Sequence, residues 1–196
     1  MNYKRYALIN IVKKYLKEQP LINNKPLKMG AGIVPVAIFN GSLFFLFGKE
    51  CYDNKWGEFG GKSETNEDKF TTAIREGYEE LDGFFGTKQQ LKNQVTKNLI
   101  LSITDLEDRH ESFVFKTDYN ENLPLYFNNH HKFLREKLSE DFFNKKNGLF
   151  EKSEIKWFGK NDLIKRKKHF RNFYKPTVDY LINEYDYIYQ KSEQLS

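Results

Sequence analysis

Residues 60–83 read GGKSETNEDKFTTAIREGYEELDG, and they hold the densest chemistry in the chain. On a helix, Glu76, Glu79 and Glu80 fall within about 100° of one another. That arc faces away from an apolar stripe of Phe70, Ala73, Ile74, Gly77 and Leu81, which has the i, i+3, i+4, i+7 spacing of a buried helix face. Three carboxylates so placed raise one another's proton affinity unless a cation compensates. Hard divalent cations take oxygen ligands, and Mg²⁺ accepts one or two carboxylates while keeping waters and binding substrate phosphates. Gly60-Gly61 lets backbone approach a ligand, offering a carbonyl to metal or an amide to phosphate. Arg75 is spaced to pair with Glu67 and hold the loop against the helix. The chemistry these types suit is metal-assisted attack on a phosphoanhydride.

The flanking pattern supplies the scaffold. AGIVPVAIFNGSLFFLFGKE gives two β-rich runs joined at Asn40-Gly41, a hairpin signal, and WGEFGGK gives a short strand. Thr65 to Asp68 fits a capping box ahead of the acidic helix. VTKNLILSITDL and ESFVFKTDY predict two further strands. Residues 123–150 form a polar, aromatic-bearing segment, helical around HHKFLREKLSEDFF. A strand at SEIKWFG, a helix start at Asp162 and a terminal helix from Pro176 complete the order. The class expected is α/β or α+β with a mixed sheet. Residues 1–28 are expected as an amphipathic basic helix (Leu8, Ile9, Val12, Tyr15 and Leu16 on its apolar face) and a connector, and 29–196 as the main domain with a C-terminal helix.

The box resembles the Nudix signature, G-x5-E-x7-R-E-U-x-E-E-x-G-U, where U is bulky and apolar. Gly61, Glu67, Arg75, Glu76, Glu79 and Glu80 match it in identity and spacing. Gly77, Asp82 and Gly83 depart from it. Gly77 leaves space that Phe84, Phe85 or another aromatic could fill, and Asp82-Gly83 reads as a glycine cap displaced by one residue. WGEFGG and EIKWF are also common in Nudix domains. The resemblance implies the Nudix fold, an α/β/α sandwich around a mixed β-sheet, here with an added N-terminal helix and a helical insertion near 123–150. It implies hydrolysis of a nucleoside diphosphate linked to another group. It also implies Mg²⁺ or Mn²⁺ held by Glu76, Glu79 and Glu80 with the Gly61 carbonyl, and Arg75–Glu67 as scaffolding. Glu80 or Glu79 could be the general base. Nudix subfamilies also recruit a base from a later loop, where Glu136, Glu140, Glu151 and Glu154 are candidates.

The chain has 196 residues and a formal net charge of +5, which favours an anionic partner. LIKRKKHFRNFYK, residues 163–175, is a basic run in which Phe170, Phe173 and Tyr174, with Leu181 and Ile182, are spaced as a core stripe, leaving Lys165, Arg166, Lys167, Lys168 and Arg171 outward. FGGK, EKSEIKWF and the Lys/Asn/Phe/Tyr-rich composition also resemble Nudix proteins of large DNA viruses, some of which decap mRNA. The first expected substrate is therefore the 5′ cap of RNA, bound along that run. The alternative is a small substrate: a nucleotide sugar, a dinucleoside polyphosphate or a diphosphoinositol phosphate. A non-catalytic binding domain is a third reading, against which the intact REx2EE core argues. Cys51 is the single cysteine, so no internal disulfide forms, and His130-His131 lack partners at zinc spacing. With no long apolar run and no secretory leader pattern, a cytoplasmic protein without an obligate protein partner is expected.

Overall fold

The computed structural model describes residues 29–105, 107–143 and 150–195. The basic helix and connector expected over 1–28, and residues 144–149 of the insertion, lie outside the described residues. A seven-stranded mixed sheet forms the middle layer. β1 (Gly30–Phe39) and β2 (Ser42–Glu50) make the expected hairpin, with Phe39 opposite Ser42. Asn40 and Gly41 both take positive φ, 47° and 69°, which suits a two-residue turn whose twist matches that of the strands.

Beyond the hairpin β1 and β2 splay apart. β4 (Phe59–Lys62) pairs with the first half of β1, while β3 (Trp56–Gly57) and β7 (Lys152–Phe158) pair with the last half of β2. β6 (His110–Lys116) lies parallel to β1, and β5 (Leu99–Thr104) closes that edge antiparallel to β6. Alternation along β1 sends Ala31, Ile33 and Ala37 to one face and Val34 and Val36 to the other. The first face is covered by α1 (Lys69–Glu80), α2 (Lys88–Asn98) and α3 (Leu123–Lys137), through Ala73, Ile74, Leu91, Val95 and Phe127. The second is covered by α5 (Lys160–Arg166), α6 (Lys175–Asn183) and α7 (Tyr185–Gln194), through Leu163, Val178, Leu181 and Ile188. The short α4 (Glu140–Phe143) follows α3. Three layers with apolar stripes turned inward is the α/β/α arrangement expected.

Local details differ from the sequence pattern. α1 begins three residues later than a Thr65 cap would place it: Asp68 is the cap, accepting from the Thr71 N–H at 2.6 Å. Residues 88–98, whose first strand signal was placed at Val95, are the helix α2, started by a Thr87/Gln90 capping box. The basic run is no continuous helix. It breaks into α5 and two 3-10 turns, Lys167–His169 and Asn172–Tyr174. Phe170 and Tyr174 are core, but Phe173 is 59% exposed, because the break takes it off the helical stripe. Among the described residues no helix is long and apolar enough to cross a membrane.

Candidate functional site

The acidic residues come from α1, and β4 brings backbone to them. A Cβ on Gly61 would lie 2.5 Å from the Glu76 carboxylate, so glycine is required for β4 to pass so close. Gly77 serves the opposite side of the helix. Its missing side chain leaves room for Ile33 of β1, whose Cδ1 would be 2.4 Å from a Cβ there. The space is thus taken by Ile33, not by Phe84 or Phe85.

Arg75 organises the loop and two of the glutamates. Its Nε and one terminal nitrogen donate to the two oxygens of Glu67, each at 2.9 Å, and the same terminal nitrogen donates to the Lys62 carbonyl. The other terminal nitrogen reaches Glu76 at 2.9 Å and Glu79 at 3.3 Å. The guanidinium holds the Glu67 carboxyl down to about 2. Burial pushes the Glu76 carboxyl up, opposed by Arg75; Glu79 and Glu151 add to the rise. Glu151 is exposed just before β7.

Glu80 does not share that setting. It is 2% exposed, and its Oε2 accepts from the Gly60 N–H at 2.7 Å and meets Lys152 Nζ at 3.1 Å. Lys152 is fully buried and also lies 2.5 Å from Glu50 Oε1, which Arg171 reaches at 3.1 Å. The three box glutamates therefore divide: Glu76 and Glu79 share one arginine nitrogen, while Glu80 turns into the gap between the splayed strands. Burial pushes the Glu80 carboxyl well up, and Glu80 and Glu50 outweigh burial to push the Lys152 ammonium up.

The end of α1 explains the departure at position 82. Asp82 takes φ of 48° and Gly83 of 74°, and their N–H groups return to the Glu79 and Tyr78 carbonyls, the two bonds of a Schellman closure. The left-handed residue that the signature fills with glycine is Asp82 itself, and there is no displacement to Gly83. Asp82 stays because its carboxylate meets buried His131 Nε2 of α3 at 2.5 Å and takes the Phe150 N–H. The same pair gives His131 a structural role.

The remaining candidates scatter. Glu136 is exposed on α3, Glu140 lies in α4, and Glu154 pairs with Lys49 at 3.6 Å. Of the basic run, Lys167 pairs with Asp179, Arg166 with Asp162 and Arg171 with Glu50; Lys165 and Lys168 are exposed. Cys51 is half-buried, and its thiol is pushed up by burial. A cavity of about 950 Å³ lined by Phe84, Phe85, Gln94, Lys97 and Lys116 touches none of the carboxylates above. Sequence reasoning missed Lys152, Glu50 and the cluster in which His110 and Tyr174 both meet Glu58. WGEFGG placed Glu58 beside the glycines, but no spacing joined it to residues 110 and 174.

No family model matches the chain, and no curated protein matches it. Solved structures do. The chain is similar to an Ap4A hydrolase from C. elegans at 20% identity, covering 69% of this chain and 83% of that one, with a TM-score of 0.43. It is similar to a Nudix hydrolase from Nitrosomonas europaea at 14% identity, over 84% and 74%, with a TM-score of 0.44. It is similar to the Nudix domain of Shewanella oneidensis NrtR, solved with ADP ribose, at 12% identity over 94% and 98%, with a TM-score of 0.42. The likeness is to Nudix structures.

Among the described residues, no three His, Cys, Asp or Glu side chains cluster closely enough to hold a metal ion. The donor set nonetheless fits Mg²⁺ or Mn²⁺, since one or two carboxylates with a carbonyl and waters suffice. Glu76 and Glu79 converge on one guanidinium nitrogen, and Gly61 lies against Glu76.

Proposed function

We propose that this chain is a metal-dependent Nudix diphosphatase acting on a small nucleoside-diphosphate derivative. The observation that carries the reading is the assembled box, with Gly61 against Glu76 and Arg75 joining Glu67, Glu76 and Glu79. Glu76 and Glu79 with the Gly61 carbonyl would hold Mg²⁺ or Mn²⁺. Bound there, the cation supplies neutralisation of the diphosphate and a more acidic water. Arg75 fixes the carboxylates in place, and its own charge is held by Glu67. Glu80, engaged by Lys152 and Gly60, is badly placed to take a proton. Of the later-loop candidates, Glu151, exposed just before β7, is the base to test first.

A small substrate stands ahead of capped RNA. Of the six Lys and Arg in the basic run, Arg166, Lys167 and Arg171 are engaged with Asp162, Asp179 and Glu50, and Lys175 donates to Asn172, which leaves Lys165 and Lys168 to meet a backbone. Association with RNA through phosphates needs several free cations and grows steeply salt-dependent with each.

The test is product analysis over nucleotide sugars, ADP ribose, dinucleoside polyphosphates, diphosphoinositol phosphates, free cap dinucleotide and cap-labelled RNA, with Mg²⁺ and Mn²⁺ compared. Hydrolysis of a small diphosphate that EDTA abolishes is expected. Cleavage of capped RNA far above free dinucleotide, falling with salt, would return the cap to first place. No turnover on any diphosphate would leave a binding domain.

A further inference from the structure

Lys152 is the first residue of β7 and has no exposed surface. Its stem lies over Gly48, where a Cβ would sit 2.8 Å from Lys152 Cδ, so β2 leaves a channel shaped for a lysine. The ammonium emerges between Glu50 at 2.5 Å and Glu80 at 3.1 Å. Arg171 shares Glu50 Oε1 with Lys152, and the Gly60 N–H shares Glu80 Oε2 with it. Two cations thus face two carboxylates, and the ends of β2, β4 and β7 with α1 enclose them. Buried charges persist only when paired and hydrogen-bonded in this way.

We propose that Lys152 is a built-in cation that takes a divalent ion's place on Glu80, so that among the box glutamates only Glu76 and Glu79 load metal. Three features carry this. A Mg²⁺ or Mn²⁺ ion arrives with waters and keeps several, and the position beside Glu80 Oε2 that it would take is already filled by the Lys152 ammonium at 3.1 Å. The Glu80 oxygen nearest the loop already receives a backbone N–H and an ammonium proton. Lys152 and Arg171 already sit against these carboxylates, so a further dication would be brought up to two cations, one of them fully buried. The proposal rests on the metal-dependent reading above, but its charge arithmetic concerns Lys152 alone.

The test counts Mn²⁺ bound per full-length chain at neutral pH, without substrate, from the loss of the free-ion electron paramagnetic resonance signal. Lys152→Met leaves Glu50 and Glu80 without their shared cation and is expected to gain one Mn²⁺ over wild type. Adding Glu80→Gln to that variant should return the count to wild type. In the wild-type background Glu80→Gln should leave the count and affinity unchanged, whereas Glu76→Gln should weaken binding at least tenfold. Should Lys152→Met fail to fold, Lys152→Gln, which keeps a hydrogen-bonding end group, takes its place. Loss of a Mn²⁺ in Glu80→Gln, or a folded Lys152 variant with an unchanged count, overturns the proposal. Wild type binding no Mn²⁺ at all would instead sink the metal-dependent reading, and the gain in the Lys152 variant would still decide this one.

Discussion

Arg75 and Glu67 meet fork to fork across eight positions, two nitrogens on two oxygens at 2.9 Å each, and so tie the loop after β4 to the middle of α1. A lysine carries the charge but cannot reproduce the fork. Arg75→Lys is expected to cost about 1–2 kcal/mol, a fall of roughly 2–8 °C in Tm for a chain of this size, and to slow turnover as well. Melting measured beside rate checks it. A slower enzyme with unchanged melting would put Arg75 on the substrate instead.

The same pair sets an acid limb. The Glu67 carboxyl is held down to about 2 from an ordinary 4.5, so its stabilisation is fully present above 4.5 and drains away as pH falls toward 2. After allowance for solvent screening, the contribution is about 1–2 kcal/mol. Urea melts of wild type and Glu67→Gln should differ by that amount at pH 6, with the gap narrowing as pH falls below 4.5 and closing only below about 2. A constant gap across the range would refute the assignment.

Gly77 departs from the signature because Ile33 needs its space. Alanine would gain about 1 kcal/mol of helix propensity, but overpacking a filled core costs about 1–3 kcal/mol. Gly77→Ala should therefore be neutral to destabilising, and Ile33→Val should restore part of the loss by removing the Cδ1 that clashes. Plain stabilisation by Gly77→Ala would mean that Ile33 yields freely.

Restoring the signature glycine at position 82 should hurt. Asp82→Gly relieves about 1 kcal/mol or more of left-handed strain yet strands buried His131, at about 1–3 kcal/mol. A net loss in denaturant melts is expected, recovered in part when His131→Phe is added, since that ring can stack on Phe127 as the imidazole does. Additive losses in the double variant would argue against the pairing.

Glu151 and Glu79 should separate by kinetics. Glu151→Gln is expected to lower kcat by about 10²-fold or more, the scale of general-base loss, with Mn²⁺ affinity kept. Glu79→Gln should lose both. Intact turnover in Glu151→Gln would return the base to α1.

Much of this was legible in order and spacing. Periodicity gave the apolar stripe of α1, the Asn40-Gly41 turn fixed the β1–β2 hairpin, and Gly61, Glu67, Arg75, Glu76 and Glu79 are joined by contacts that span at most fifteen positions. Local spacing can declare such contacts because one helix and the loop before it set the geometry. Lys152 and Glu50 are 102 positions apart, and Glu58 and Tyr174 are 116 apart. Neither stands in a motif, and a lysine or glutamate in a polar run reads as solvated surface. Only the splay of β1 from β2, and the strands that fill it, brings Glu50, Glu80 and Lys152 into one dry gap. There burial makes each charge depend on the others, and so Glu80, which spacing alone sets beside Glu76 and Glu79, meets Lys152 and the Gly60 N–H.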